Sequence, residues 1–308
     1  MIKALAVRIL VLSRRRTLYT TRRLCEAATA AGHAATVIDP MECWLVCGAG
    51  ADLYSKSNRR RLEDVDVVLP RIGSSIPEFG LGVVQQFETM GIPVVNSSEA
   101  IRRSRDKFRS LQFLAQNDVH IPRTAIVRGS GQIRAALRAV GGLPVVLKLR
   151  QGTQGIGVML AESLEALEAI LHTLWSLGQD LLVQEFVAES RGCDIRALVV
   201  GGRVVAAMTR TAPAGEFRSN IHRGGSGRIV QLTSEYERVA VEAVRIMGLG
   251  VAGVDLLESR SGPKVIEVNA SPGFEGLERA TRSDLASEII RHVAGRVDVR
   301  LVARSSAR

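Results

Sequence analysis

The sequence predicts one parallel α/β domain followed by two α+β units. Three observations carry this. The 308 residues suffice for about two domains of ~150 residues, ample for buried cores. The first hundred residues alternate apolar runs with helical patterns, the order expected of a parallel sheet. The last third instead carries Gly201-Gly202 between two apolar runs, a two-residue hairpin signal. A composition of 46% hydrophobic and 23% charged residues excludes a disordered chain, a collagen and a disulfide miniprotein.

The elements follow in order. Strands are expected over residues 4–12, 34–38, 65–69 and 93–95. Helices are expected over 20–31 and 78–90, closed by Gly32 and Gly91. The stretch 47–63 is polar, contains Arg59-Arg60-Arg61, and reads as a surface loop. Past Asn96-Ser97-Ser98, a basic helix is expected over 102–116. A mixed unit follows: strand 124–127, helix 132–140, strand 145–149, a glycine loop, strand 158–160, helix 164–177 capped by Ser163, and strand 181–186. Next come strands 195–200 and 204–208, then a long Gly, Arg and Ser loop over 211–227. Helix 235–247 starts with Ser234 and Glu237 at capping-box spacing. A second hairpin, 251–257 with 264–268, precedes a final helix over 285–293. The expected domains are 1–100, 101–187 and 188–308, with the chemistry between the last two.

Net charge is +10, and 36 of the 41 basic residues are Arg. Such a field attracts acidic partners, although composition alone does not separate that from a solvated surface. Cys25, Cys43, Cys47 and Cys193 form no Cys-x-x-Cys pair, as expected of reduced thiols in a cytoplasmic protein. No apolar stretch approaches the ~18 residues of a membrane span. Arg8 interrupts the first apolar run, so it reads as a buried strand rather than a signal core.

Gln151-Gly152-Thr153-Gln154-Gly155-Ile156-Gly157 lies between two strand-like runs. A dinucleotide fingerprint or P-loop requires a helix after the glycines, so both are excluded. There remains a glycine hairpin whose backbone N–H groups can close over phosphate, or an ordinary turn. Lys148 favours phosphate. It interrupts the apolar run Val145-Val146-Leu147, and a buried ammonium needs an anion or an escape to water. A protein kinase would place the loop before the Lys and add His-Arg-Asp and Asp-Phe-Gly, which are absent.

The hairpin 251–268 carries a second constellation. With its turn near Ser261, Asp255 and Glu267 lie opposite one another, and Asn269 shares the face of Glu267. The other face, Ala252, Val254, Leu256, Ile266 and Val268, is apolar. Two carboxylates and an amide suit Mg²⁺ or Mn²⁺ rather than zinc. A solvated sheet face and plain turn chemistry at Asn269 are the alternative.

These residues resemble the RimK-type glutamate ligases of the ATP-grasp fold. The resemblance covers residues 3 to 295. It is carried by Ser104-Arg105-Asp106-Lys107, by Lys148 with the glycine loop, by Gln184-Glu185-Phe186 and by Gly192-Cys193-Asp194-Ile195-Arg196. Glu216 to Gly225, Ala252-Gly253-Val254-Asp255 and Glu267-Val268-Asn269-Ala270-Ser271-Pro272-Gly273 extend it, as do the loop from Ser13 to Tyr19 and Pro70-Arg71-Ile72-Gly73.

The resemblance implies roles. Lys107, Lys148 and the loop residues Gly152, Thr153, Gln154 and Gly155 would hold ATP phosphates. Glu185 and Phe186 would hold the adenine, and Asp194 would touch the nucleotide side. Arg210, Arg218, Ser219 and Asn220 would meet phosphate or the activated carboxylate. Asp255, Glu267 and Asn269 would hold two Mg²⁺ or Mn²⁺ ions. Arg71, Arg196, Arg210 and Arg223 are candidates for carboxylate binding, with structural ion pairing the alternative for each. The implied reaction makes an acyl phosphate and ADP from ATP and an acceptor carboxylate, and the amine of L-glutamate then expels phosphate. The implied acceptor is the acidic C-terminus of a ribosomal small-subunit protein, with poly-glutamate as a further product. The implied enzyme is a cytoplasmic homo-oligomer, dimer or tetramer, that binds neither membrane nor nucleic acid. A small-molecule acceptor and a non-catalytic ATP-binding module are the rival readings.

Overall fold

The computed structural model describes residues 6–48, 50–56, 62, 64–73, 76, 78–150, 157–219 and 225–297. The expected α/β and α+β architecture is present. In the N-terminal part, β1 (Arg8–Leu12), α1 (Tyr19–Ala30) and β2 (Ala34–Ile38) are followed by β3 (Cys43–Cys47), β4 (Ala51–Ser55), β5 (Val67–Pro70) and α2 (Glu78–Thr89). The parallel sheet has order β2-β1-β5. After Arg8 its central strand is apolar, because it is buried on both faces. Ile9 and Val11 enter one core, Leu10 and Leu12 another. The strand expected at 93–95 reduces to a bridge between Val68 and Val94.

The loop expected from residue 47 onward is corrected: β3 and β4 form an antiparallel hairpin. Trp44 stacks on Tyr54 across it at 5.4 Å, Leu53 is buried, and the Gln86 amide donates to Val46 O and Asp52 O. Polar residues between short apolar runs hid this pairing.

The single basic helix also divides, into α3 (Ser98–Arg105) and α4 (Lys107–Gln116). Asp106 ends the first and caps the second, accepting from the Phe108 and Arg109 amides at 3.1 and 3.2 Å. The break puts Lys107 in the first turn of α4, from which it reaches the C-terminal sheet.

The middle unit holds β6 (Thr124–Ile126), α5 (Ser130–Ala139), β7 (Val145–Leu149), β8 (Val158–Ala161), α6 (Leu164–Ser176) and β9 (Leu181–Glu185). Its antiparallel sheet has order β6-β9-β7-β8. Ser163 caps α6 by accepting from the Ala166 amide at 3.1 Å.

The last unit comprises β10 (Cys193–Val200), β11 (Arg203–Thr211), β12 (Ser226–Ile229), α7 (Ser234–Met247), β13 (Val251–Leu257), β14 (Lys264–Asn269), α8 (Glu275–Thr281) and α9 (Leu285–Ala294). Its strands pair antiparallel in the order β12-β11-β10-β13-β14. Gly201 and Gly202 turn with φ of 58° and 80°, and a Cβ on Gly201 would meet His292 Nδ1 at 2.8 Å. Strand β12 and helix α8 are additions to the sequence reading. The capping box does not form: Thr233 is the N-cap, makes no side-chain cap bond, and Ser234 is already helical.

Two cores mix side chains of the N-terminal and C-terminal units, so these form one packed body. The core of the middle unit draws only on residues 127–183. All four thiols are free. No helix among the described residues is long and apolar enough to cross a membrane.

Glu278 fastens α1 to the C-terminal helices. Buried, it accepts from the Tyr19 hydroxyl at 2.7 Å, Arg23 Nε at 3.1 Å and the Leu285 and Ala286 amides at 3.1 and 3.3 Å. Replacing it strands four donors in a dry junction. Glu278→Ala should cost about 3 kcal/mol in urea unfolding.

Candidate active site

One face of the C-terminal sheet carries a row of charge that its register dictates. Arg196 on β10 lies opposite Asp255 on β13, which lies opposite Glu267 on β14. Asp194, two residues from Arg196 and so on the same face, lies opposite Arg210 on β11. Asp255 is buried and takes both Nε and Nη2 of Arg196, the latter at 2.7 Å, with Arg210 Nη2 at 3.0 Å. Arg210 is buried too, and forks onto Asp194 with two bonds of 2.6 Å. Burial alone would raise the Asp255 carboxyl, but the charges of Arg196 and Arg210 outweigh it and hold it below the usual carboxylate range.

A β-bulge corrects the expected hairpin faces. Asp255 pairs with Glu267, but Leu256 pairs with Val265, which leaves Ile266 as the extra residue. Val265, not Ile266, therefore enters the core. The bulge leaves Asp255, Glu267 and Asn269 on one side.

Two lysines face this row. Lys107 Nζ lies 3.5 Å from Glu267. Burial pulls the Lys148 ammonium on β7 down to about 8, a shift that the charges of Glu267, Asp255 and Asp194 oppose and that of Lys107 reinforces. The middle and C-terminal sheets, with the start of α4, thus bring Lys107, Lys148, Asp194, Arg196, Arg210, Asp255 and Glu267 to one cleft.

The remaining candidates divide. Glu185, at the end of β9, accepts from Lys264 Nζ at 2.7 Å and from the Arg123 amide at 2.9 Å. Lys264, at the start of β14, was missed because 79 residues separate it from Glu185. Arg191 lies over the ring of Phe186, 5.9 Å from its centroid. Ser219 is buried. Arg218 forks onto Glu216 with bonds of 2.9 and 2.6 Å and donates to Val158 O at 3.3 Å, which docks its loop on β8. Arg71 donates to Pro272 O at 2.6 Å. Gly152, Thr153, Gln154, Gly155, Asn220 and Arg223 lie outside the described residues. Asp194 and Arg196, expected to face nucleotide and substrate, here give their polar atoms to Arg210 and Asp255. The sequence offered no signal for these partners beyond strand parity.

The donor set fits a hard divalent cation. It is all oxygen, with two carboxylates and an amide carbonyl on neighbouring strands. Among the described residues, no group of three His, Cys, Asp or Glu side chains is gathered for a metal ion, so the set rests on two carboxylates and the amide of Asn269.

Residues 104–293 match the RimK-like ATP-grasp domain and residues 7–101 the RimK PreATP-grasp domain. The chain belongs to the RimK-like ATP-grasp family. A Rhodopirellula baltica protein named "Probable alpha-L-glutamate ligase" is 53% identical over 281 residues, 91% of this chain and 69% of that one. One of the same name from Syntrophotalea carbinolica is 50% identical over 288 residues, 93% and 95% of the two chains. The crystal structure of a RimK domain ATP-grasp protein from Sphaerobacter thermophilus shares the fold at TM-score 0.72 and 26% identity, covering 93% of this chain and 99% of that one. The ATP-grasp ligase PsnB, solved with a minimal precursor, Mg and ADP, has TM-score 0.72 at 19% identity over 94% and 96%, a likeness of fold alone. The chain is accordingly an ATP-dependent ligase of this family, whose chemistry uses ATP and a divalent metal.

Glu267 and Asp255 differ in what surrounds them, and substitutions should separate them. Glu267 is partly exposed with Lys107 beside it, so Glu267→Ala should shift unfolding by no more than about 0.5 kcal/mol while activity falls about 100-fold or more. Asp255→Ala leaves buried Arg210 and half-buried Arg196 without their shared anion, and should also cost about 3 kcal/mol in urea unfolding.

The Glu216–Arg218 pair gives a pH dependence. Hydrogen bonding from Arg218 holds the Glu216 carboxyl at about 2, below its ordinary 4.5. A depressed carboxyl contributes stability that is present above 4.5 and lost as pH falls through about 2. The difference in urea midpoint between wild type and Glu216→Gln should therefore shrink steadily from pH 5.5 to 2, as about one pH unit above 4.5 suffices for full ionisation.

Proposed function

We propose that this enzyme adds L-glutamate to an acidic protein C-terminus, with that of a ribosomal small-subunit protein as the acceptor. The observation that carries the reading is that half-buried Lys148 and Lys107 stand beside Asp255 and Glu267 in the cleft. Lys148 from the middle unit and Lys107 from α4 oppose carboxylates of the C-terminal sheet, which is what a nucleotide phosphate and its counter-ions require in a cleft. The names of the relatives at 53% and 50% identity support glutamate as the amino acid added.

In the proposed reaction Lys107 and Lys148 bind the phosphate oxygens of ATP, and the backbone of Gly152 to Gly155 covers them. Glu185 and the chain at Phe186 receive the adenine. The acceptor carboxylate attacks the terminal phosphorus, giving an acyl phosphate and ADP. The neutral amine of glutamate then attacks the acyl carbon, and phosphate leaves. Arg210 and Arg218, with Ser219 and Asn220, offset the charge that grows on the oxygens in both steps. Asp194 and Asp255 hold the Arg210 fork in place for that task. Arg71, Arg196 and Arg223 are the proposed contacts for the carboxylates of the substrates. Asp255, Glu267 and Asn269 would hold two Mg²⁺ ions, with Mn²⁺ able to replace them, and such ions supply charge neutralisation at the phosphates.

The test is mass spectrometry of a reaction containing Mg-ATP, L-glutamate and a peptide ending in Glu-Glu, with ADP release followed in parallel. The expected result is a ladder of glutamyl additions to the peptide that is lost in Glu267→Ala. A ladder of free glutamate oligomers without peptide would show poly-glutamate synthesis as well. Neither product, with no ADP, would move the reading to a small-molecule acceptor or a non-catalytic ATP module.

A further inference from the structure

Among the described residues, Arg71 differs from the other arginines of the site in having no anion. Arg196, Arg210 and Arg218 each fork onto a carboxylate. The Nε of Arg71 is sealed from solvent and has no hydrogen-bond partner, and Nη2 reaches only the carbonyl of Pro272. Burial lowers its guanidinium to about 10, and no neighbouring charge among the described residues acts on it. A guanidinium in such a place is unfavourable unless something absent from the chain completes it. Its planar fork matches a carboxylate.

Its position says which carboxylate. Arg71 directly follows β5, at the carboxyl end of the parallel sheet, the edge at which open α/β sheets receive ligands. Pro272, the one partner of its guanidinium among the described residues, sits against Gly253: a Cβ there would meet Pro272 Cβ at 2.9 Å and Arg196 Cδ at 3.5 Å. Arg71 therefore flanks the Arg196–Asp255 pair without touching Asp255 or Glu267. A carboxylate bound there is held beside the phosphoryl-transfer centre rather than in it, and does not react.

We propose that Arg71 clamps a non-reacting carboxylate of a glutamyl substrate, making the N-terminal unit one wall of the amino-acid site. The proposal rests on the glutamate reading above. Two sources share this chemistry, the incoming amino acid and the last residue of the acceptor.

The test compares wild type, Arg71→Met and Arg71→Lys in steady-state ligation with glutamate, peptide and ATP varied separately. In Arg71→Met, KM for glutamate or for peptide should rise about 10- to 100-fold. KM for ATP should change less than about threefold, and Tm should not fall, because an uncompensated buried charge has been removed. Arg71→Lys should restore little, as an ammonium lacks the fork. The substrate whose KM moves identifies the source. A parallel rise in all three KM values with a lower Tm, or no rise in any, overturns the proposal and leaves Arg71 as a prop for Pro272. If wild type ligates nothing, the glutamate reading fails and the clamp is judged separately by thermal shift with glutarate. A shift in wild type that is lost in Arg71→Met upholds the clamp, and an equal shift or none in both overturns it.

Discussion

Asp255 sits at the centre of a buried ionic network, and most of the site is arranged around it. Its carboxylate neutralises Arg196 and Arg210. Arg210 in turn neutralises Asp194. Such groups are costly to bury singly and tolerable only as a set, because each loses water that only the others can replace. The set needs β10, β11 and β13 in one register, since each partner lies on the strand next to the last. The charge row is therefore a consequence of strand pairing, and it holds the cleft face rigid where chemistry demands fixed dipoles.

Against that fixed face stands a separately packed unit. Lys148 arrives on β7, whose supporting residues belong to a core of their own. Lys107 arrives by a different route, through the helix break at Asp106. That Asp106 also pairs with Arg150, one residue past β7, ties the two routes together. Lys107 thus rides on a helix packed in the same core as the sheet it faces, while Lys148 comes from the separate middle core, and the Asp106–Arg150 pair joins the two.

Much of this was legible in the residues, and the failures have physical causes. Strands 34–38, 145–149 and 251–257 were bounded correctly because each is a short apolar run ended by polar or glycine residues. The Asp255–Glu267 pairing followed from counting outward from a turn. The bulge did not, because an extra residue leaves no mark on composition, and so Ile266 was assigned the place of Val265. Strand β12, Ser-Gly-Arg-Ile, has no alternation to read and exists because β11 offers it an edge. The site residues could be named as chemistry-bearing types, but their partners could not. Glu185 with Lys264 and Arg196 with Asp255 are separated by 79 and 59 residues, and only the sheets bring them together.

The separate core of the middle unit has an optical corollary. The chain has two tryptophans. Trp44 lies on the β3–β4 hairpin of the N-terminal unit, stacked on Tyr54 and 45% exposed. Trp175 lies near the end of α6, packed on the middle core, its indole N–H shut off from solvent. Each body thus carries one intrinsic fluorophore in a different dielectric environment. Emission from a chain retaining Trp175 alone reports the middle lobe, and from one retaining Trp44 alone the rest, so loosening of either body is visible without a label.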